Sequence, residues 1–252
     1  MEMGTPQMSM RSLLVSVIVL LVGSIAPARA ASPEIIVGQE SVILLHGLAR
    51  TDRSMRPLEE HLSLAGFRVY NLRYPSTDLT PEELVAHLHT RISGCCDGAP
   101  RVHFVTHSLG GILTRAYLAA HPVANLGRVV MLAPPNRGSE YADAFADSKL
   151  FQAAFGPTAV QLGTGPDSLP NRLPPPDFEL GVIAGTRSVN PVSSIVIPGE
   201  NDGTVSVEST QLPGMTDFIA VPVSHTFIMQ SDEVAAHVVE FLRRGRFLHP
   251  AP

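Results

Sequence analysis

The stretch Val105–Gly111, VTHSLGG, sets a serine between an apolar strand and an apolar helix. Residues 101–105, RVHFV, form a run of strand length. Residues 111–120, GILTRAYLAA, carry helical spacing, and Pro122 closes the segment. The core of the stretch, Thr106 to Gly110, fits the pattern G-x-S-x-G except at its first position, where Thr stands. A sharp strand-to-helix turn lifts its serine out of the packed sheet at the strand's C-terminal edge. Small residues must flank such a serine, because strand and helix approach closely there. Gly110 and Gly111 meet that need, and Thr106 is larger than Gly but still compact.

Outward from this turn, apolar strands alternate with amphipathic helices. Residues 41–47, SVILLHG, are a continuous apolar run ending in a Gly turn. Residues 56–66, RPLEEHLSLAG, place Leu58, Leu62 and Ala65 on one helical face. FRVYNLRYP (67–75) reads as the next strand. Thr80 caps a helix with Pro81 in its first position and acids in its first turn. RVVMLAPP (128–135), FELGVIAG (178–185) and DFIAV (217–221) add strands, and SDEVAAHVVEFLRRG (231–245) is a capped terminal helix. Consecutive strands joined by helices require crossovers, so the expectation is an α/β fold: a mainly parallel central sheet with helices on both faces. The regular alternation breaks between residues 139 and 177. SEYADAFADSKLFQAAFG reads as one helix or two short ones, and residues 156–177 as a Pro- and Gly-dense loop.

Composition narrows the class. The chain of 252 residues suffices for one α/β domain with a substantial core, expected over residues 31–252. A net charge of -5 without a basic run argues against nucleic acid as a partner. The two cysteines, Cys95 and Cys96, are adjacent and form no CxxC spacing, so they suggest neither a metal nor a redox site. Arg11, the apolar run from Leu13 to Ile25 and the closing Ala28-Arg29-Ala30 have the layout of a signal peptide, residues 1–30. Export to the periplasm or medium is therefore expected, with an uncleaved membrane anchor as the alternative. Met8 and Met10 are alternative starts.

Which groups could act with Ser108? A serine hydroxyl is a weak nucleophile until a neighbouring base takes its proton. In this topology the order is serine, acid, histidine. Of the histidines after Ser108, His121 closes a helix, His237 lies within one and His249 sits in the tail. His225 directly follows an apolar strand and so reaches the same sheet edge as Ser108. Asp202, in the turn GENDGTV, is the leading acid, and Glu200 is the alternative; Asp177 precedes its strand and falls at the wrong edge. Backbone N–H groups of Leu109, after the serine, and Leu48, in the loop after LLHG, are placed to bind a developing oxyanion. His107, beside the serine, reads as packing or pocket lining.

Taken together, LLHGL, VTHSLGG, PGENDGTVS and PVSHTF resemble the α/β-hydrolase fold, and within it the bacterial esterases and triacylglycerol lipases. The resemblance runs from about Val42 to Arg244. It implies a serine hydrolase acting on a carboxylic ester through an acyl-enzyme, with Ser108 as nucleophile, His225 as base, Asp202 as its orienter, and Leu48 and Leu109 as oxyanion donors. It implies no cofactor and no metal, and a small-molecule or lipid ester as substrate, with contact at a membrane or lipid interface in the lipid case. Residues 139–177, with Phe145, Leu150, Phe151 and Phe155, would form a lid or the wall of an acyl pocket. Two departures stand out: Thr106 in place of Gly, and an acid lying well beyond the strand FELGVIAG. Acyl transfer, thioester or amide hydrolysis on the same triad, and a non-catalytic binding protein of the same fold, are the alternative readings.

Overall fold

The computed structural model describes Met1, residues 38–189 and residues 193–249. Apart from Met1, the expected signal peptide lies outside the described residues. From Gly38 onward the described chain belongs to one unit, Ile36–Pro252. Six strands form its centre: β1 (Ser41–Leu45), β2 (Arg68–Leu72), β3 (Val102–His107), β4 (Leu126–Leu132), β5 (Leu180–Gly185) and β6 (Asp217–Val221). Every pairing is parallel, in the order β2-β1-β3-β4-β5-β6. Because all strands point the same way, each one's C-terminal end opens on the same edge, and that edge receives every loop that matters below.

The alternation of side chains along the central strands divides the core into two layers. Ile43, Leu45, Phe104, Val129, Met131 and Val182 face one side, where α2 (Pro81–Ile92) and α3 (Leu109–Ala120) cover them with Leu84, Leu88, Ile112 and Leu113. Val42, Leu44, Val105, Val130, Leu132 and Ile183 face the other, under α1 (Arg56–Leu64) and α9 (Asp232–Arg244), through Leu58, Leu62, Val234, Val238 and Phe241. The helices begin where the sequence provides caps. Thr80 forms a reciprocal capping box with Glu83, and the Ser231 side chain accepts from Val234 N–H. Gly245, in the left-handed region at φ 72°, ends α9.

The irregular region resolves into α4 (Glu140–Phe145), α5 (Lys149–Ala159) and α6 (Leu169–Arg172). The segment read as a loop from residue 156 onward thus contains the end of α5 and a further helical turn. Gly156 explains the first part: at φ 77° and ψ -176° it breaks the helix, which resumes after Pro157. Beyond β5 come two short turns of helix, α7 (Ser193–Val196) and α8 (Val207–Thr210). The apolar piece Ile195–Pro198 is helical at its start.

Candidate active site

Ser108 occupies the turn between β3 and α3 with φ 52° and ψ -120°, a backbone conformation that a residue with a Cβ holds only when its surroundings impose it. What imposes it is close packing. A Cβ at Gly110 would stand 2.6 Å from the Leu45 carbonyl oxygen, so only glycine lets α3 approach the end of β1. A Cβ at Gly111 would meet Pro134 and Met131 at 3.1–3.2 Å. The Ser108 N–H bonds the Leu132 carbonyl at 2.9 Å, which ties the turn to β4. Thr106, by contrast, is accommodated in full burial, but its hydroxyl has no hydrogen-bond partner.

His225 leaves the sheet four residues after β6 and reaches the same edge. Its Nε2 stands 3.0 Å from Ser108 Oγ, and its Nδ1 stands 2.7 Å from Asp202 Oδ2. The carboxylate accepts at Nδ1–H, which leaves Nε2 free to accept the serine proton. The other Asp202 oxygen accepts from the N–H groups of Thr204 and Val205, each at 2.9 Å. The Asp202 carbonyl also accepts from His225 N–H at 3.0 Å, so backbone and side chain fasten the two loops twice. Asp202 is buried, whereas Glu200 is exposed and contacts Val207 only through its carbonyl. Of the two acids left open by the sequence, the structure brings Asp202 to His225. It does so late in the chain because α7 (Ser193–Val196) intervenes between β5 and the acid loop. Gly185 clears the way: a Cβ there would press within 2.8 Å of Asp202 Cβ.

The remaining histidines fall away from the serine. His121 stacks on His89 with ring centroids 4.0 Å apart, His237 accepts from Leu248 N–H, and His249 pairs with Asp217. Leu109 opens α3, so its N–H is among the unpaired amides of that helix end. The loop carrying Leu48 comes close as well: a Cβ at Gly47 would lie 3.2 Å from Ser108 Cβ.

His107, read from the sequence as packing or pocket lining, does line the cavity, and it makes a definite further contact. Its Nε2–H donates to the His225 carbonyl at 3.0 Å, which fixes the tautomer and braces the loop that carries His225. Burial, with help from the neighbouring His225 and Arg50, holds its pKa well below the ordinary histidine value. Its Nδ1 is buried without a partner. Nothing in the sequence marks this latch, because it joins residues 118 positions apart.

A cavity of about 250 Å³ opens over Ser108 and His225. Phe151, Phe155, Tyr141, Ala159 and Leu162, all from the 139–177 segment, supply its apolar wall. Leu150, expected in that wall, points to solvent and is 80% exposed, because it lies on the outer side of α5. Phe145 stacks between Tyr141 and Phe151 behind the lining. The segment is bolted to the acid loop: Ser139 Oγ donates to the Thr204 carbonyl, and Glu140 accepts from Ser206 and Ser209. Arg50 and Thr226 also line the cavity, and sequence spacing did not single out either. Among the described residues, no three His, Cys, Asp or Glu side chains converge as a metal site, and no helix is long and apolar enough to cross a membrane. Cys95 and Cys96 are free and lie away from this edge, in the loop after α2.

A sequence profile of the alpha/beta hydrolase family matches residues 42–240. A triacylglycerol lipase of Burkholderia plantarii is 32% identical over 134 residues, spanning 48% of this chain and 37% of the lipase. One of Pseudarthrobacter phenanthrenivorans is 34% identical over 118 residues, spanning 42% of this chain and 36% of the lipase. The chain thus aligns with little more than a third of the length of these relatives. Among solved structures, a Bacillus licheniformis lipase in mature form superimposes with a TM-score of 0.60 at 18% identity, covering 85% of this chain and 94% of that one. A metagenomic carboxyl esterase gives 0.60 at 20% identity, covering 77% and 66%. At these identities the likeness is one of fold.

Proposed function

The chain belongs to the alpha/beta hydrolase family, and from that premise we propose that it is a serine hydrolase that cleaves carboxylic esters. The observation that carries the reading is the unbroken hydrogen-bonded line from Ser108 Oγ through the His225 ring to Asp202, at 3.0 and 2.7 Å. His225 Nε2 takes the serine proton as Oγ attacks the ester carbonyl. Asp202 holds the imidazole orientation and stabilises the imidazolium. The Leu48 and Leu109 N–H groups receive the oxyanion, each worth about 3 kcal/mol in transition-state stabilisation. The tetrahedral intermediate collapses, the imidazolium returns its proton to the departing alkoxide, and Ser108 is left acylated. Water then attacks the acyl-enzyme, its proton passing to His225, and the carboxylic acid departs as Ser108 recovers its hydrogen. The aromatic wall of the cavity suits an acyl chain, which favours an ester of a fatty or other apolar acid over a polar one. The lipase relatives are compatible with this substrate class. The Ala28-Arg29-Ala30 pattern supports export, with the mature N-terminus at Ala31.

A fluorophosphonate probe tests the reading directly. Adduct mass on the peptide containing Ser108, absent in Ser108→Ala, together with hydrolysis of a short-chain aryl ester, is the expected result. A folded protein that neither takes the label nor turns over any ester sinks it.

A further inference from the structure

The apolar cavity accounts for one arm of an ester, and a second depression next to it has chemistry of its own. On the other side of Arg50 lies a cleft of about 590 Å³, formed by the loop after β1, the loop after β2 and the flank of α2. Arg50 lines both cavities and is the residue they share. Three further basic or titratable groups turn into the cleft: Arg73 from the end of β2, and His87 and Arg91 from successive turns of α2. Asp78 is the only acid in its lining. None of the three guanidinium groups pairs with a carboxylate among the described residues. Half-buried Arg50 is partly desolvated and has no carboxylate within ion-pair distance among the described residues.

The cleft is also built into the same frame as the acyl wall. Buried Ser76 accepts from Ala49 N–H at 3.1 Å, which joins the two loops that floor it. On the far side of that floor, Thr158 of α5 donates to the Leu79 carbonyl at 2.8 Å. The helix that walls the apolar cavity therefore rests on the loop that floors the basic one.

An ester has two arms leading from its carbonyl carbon. With the acyl arm among Phe151 and Phe155, Arg50, which lines both cavities, marks the way from Ser108 to the basic cleft. Resting on the ester-hydrolase reading, we propose that the preferred substrate carries an anion on its alcohol side, a phosphate or phosphodiester, which the Arg50–Arg73–Arg91 cleft binds. Guanidinium groups suit this task because they are always charged and present paired N–H donors to phosphate oxygens. A neutral acylglycerol would fill the acyl wall equally well and leave the cleft unused.

A matched pair of substrates decides the matter: 1-octanoylglycerol and 1-octanoylglycerol 3-phosphate carry the same ester without and with the anion. The expected kcat/KM is at least tenfold higher for the phosphate compound, mostly through a lower KM. That preference should shrink as NaCl rises from about 50 to 500 mM, within the range where screening takes hold. In the double variant Arg73→Gln/Arg91→Gln the ratio of the two kcat/KM values should fall at least fivefold. Glycerol 3-phosphate should inhibit aryl-ester hydrolysis competitively in the wild type and more weakly in the double variant. Turnover of octanoylglycerol with no preference for its phosphate overturns the inference and leaves the esterase reading standing. So does a preference that survives in the double variant, or inhibition by inorganic phosphate without a substrate preference. If neither compound is cleaved while the aryl ester is, the inference falls and the esterase reading stands; if no ester is cleaved and the probe does not label Ser108, both fall.

Discussion

Ser108 is held at φ 52° because its neighbours leave no relaxed alternative, and the residues around it make separable predictions. Asp202 should behave as the orienting acid. Asp202→Asn keeps the shape but presents an amide where His225 needs a carboxylate, and kcat should fall about 10³- to 10⁴-fold. Glu200→Gln, at an exposed position, should change kcat less than twofold. A steady-state assay on one aryl ester checks both, and the reverse pattern would transfer the role to Glu200. Thr106 predicts a gain instead. Its buried hydroxyl lacks a partner, and such a group costs about 1–3 kcal/mol. Thr106→Val removes the hydroxyl at nearly the same shape, so a rise of about 1 kcal/mol in urea unfolding stability is expected; a fall would show that the hydroxyl is satisfied. At this scale the serine and histidine were legible because each sits beside an unmistakable strand. Asp202 was legible by chain order and by its turn at the serine's edge, although α7 stands between β5 and its loop. The His107 latch and the convergence of Arg50, Arg73 and Arg91 were not legible at all, because long-range contacts leave no local spacing.

At the scale of elements, the regular strands and helices announce themselves through periodicity and caps, and the 139–177 segment does not. Its helices are short, Gly156 and Pro157 interrupt α5, and its faces are set by what they pack on rather than by a repeating stripe. That is why Phe155 turned inward as expected and Leu150 outward. Two substitutions probe the segment. Phe155→Ala should lengthen the acyl cavity, moving the optimum in an aryl-ester chain-length series upward by two carbons or more. An unchanged optimum would remove α5 from the acyl wall. Gly156→Ala places a Cβ within van der Waals overlap of the Thr77 carbonyl, at a φ and ψ open to glycine alone. A loss of about 2 kcal/mol or more is expected in denaturant unfolding. A neutral result would mean that α5 can lift from the loop below it without cost.

For the molecule as a whole, the buried histidines set the response to acid. Burial lowers the pKa of His46, His103 and His107 in the folded protein. The unfolded chain takes up protons at these rings near the usual histidine value of about 6.5, while the folded chain resists. Between that value and the lower folded ones the unfolded state binds more protons, so stability rises with pH. The contribution is complete above about pH 6.5 and drains away as pH falls below it. Urea midpoints should accordingly drop between pH 7.5 and pH 5, before most carboxylates titrate. His107→Gln should flatten the slope; an identical slope in that variant would assign the acid sensitivity elsewhere.

The position of β6 at the end of the sheet order has a bearing on how the protein comes into being. Synthesis runs from the N-terminus, and the Ser108 turn is complete once β1, β3 and β4 have emerged. Its base is carried 117 residues further on, behind β6, the strand at the end of the sheet order. A nascent or truncated chain therefore presents an unarmed serine. On the proposed reading, reactivity toward esters requires β6 and the loop behind it to be in place.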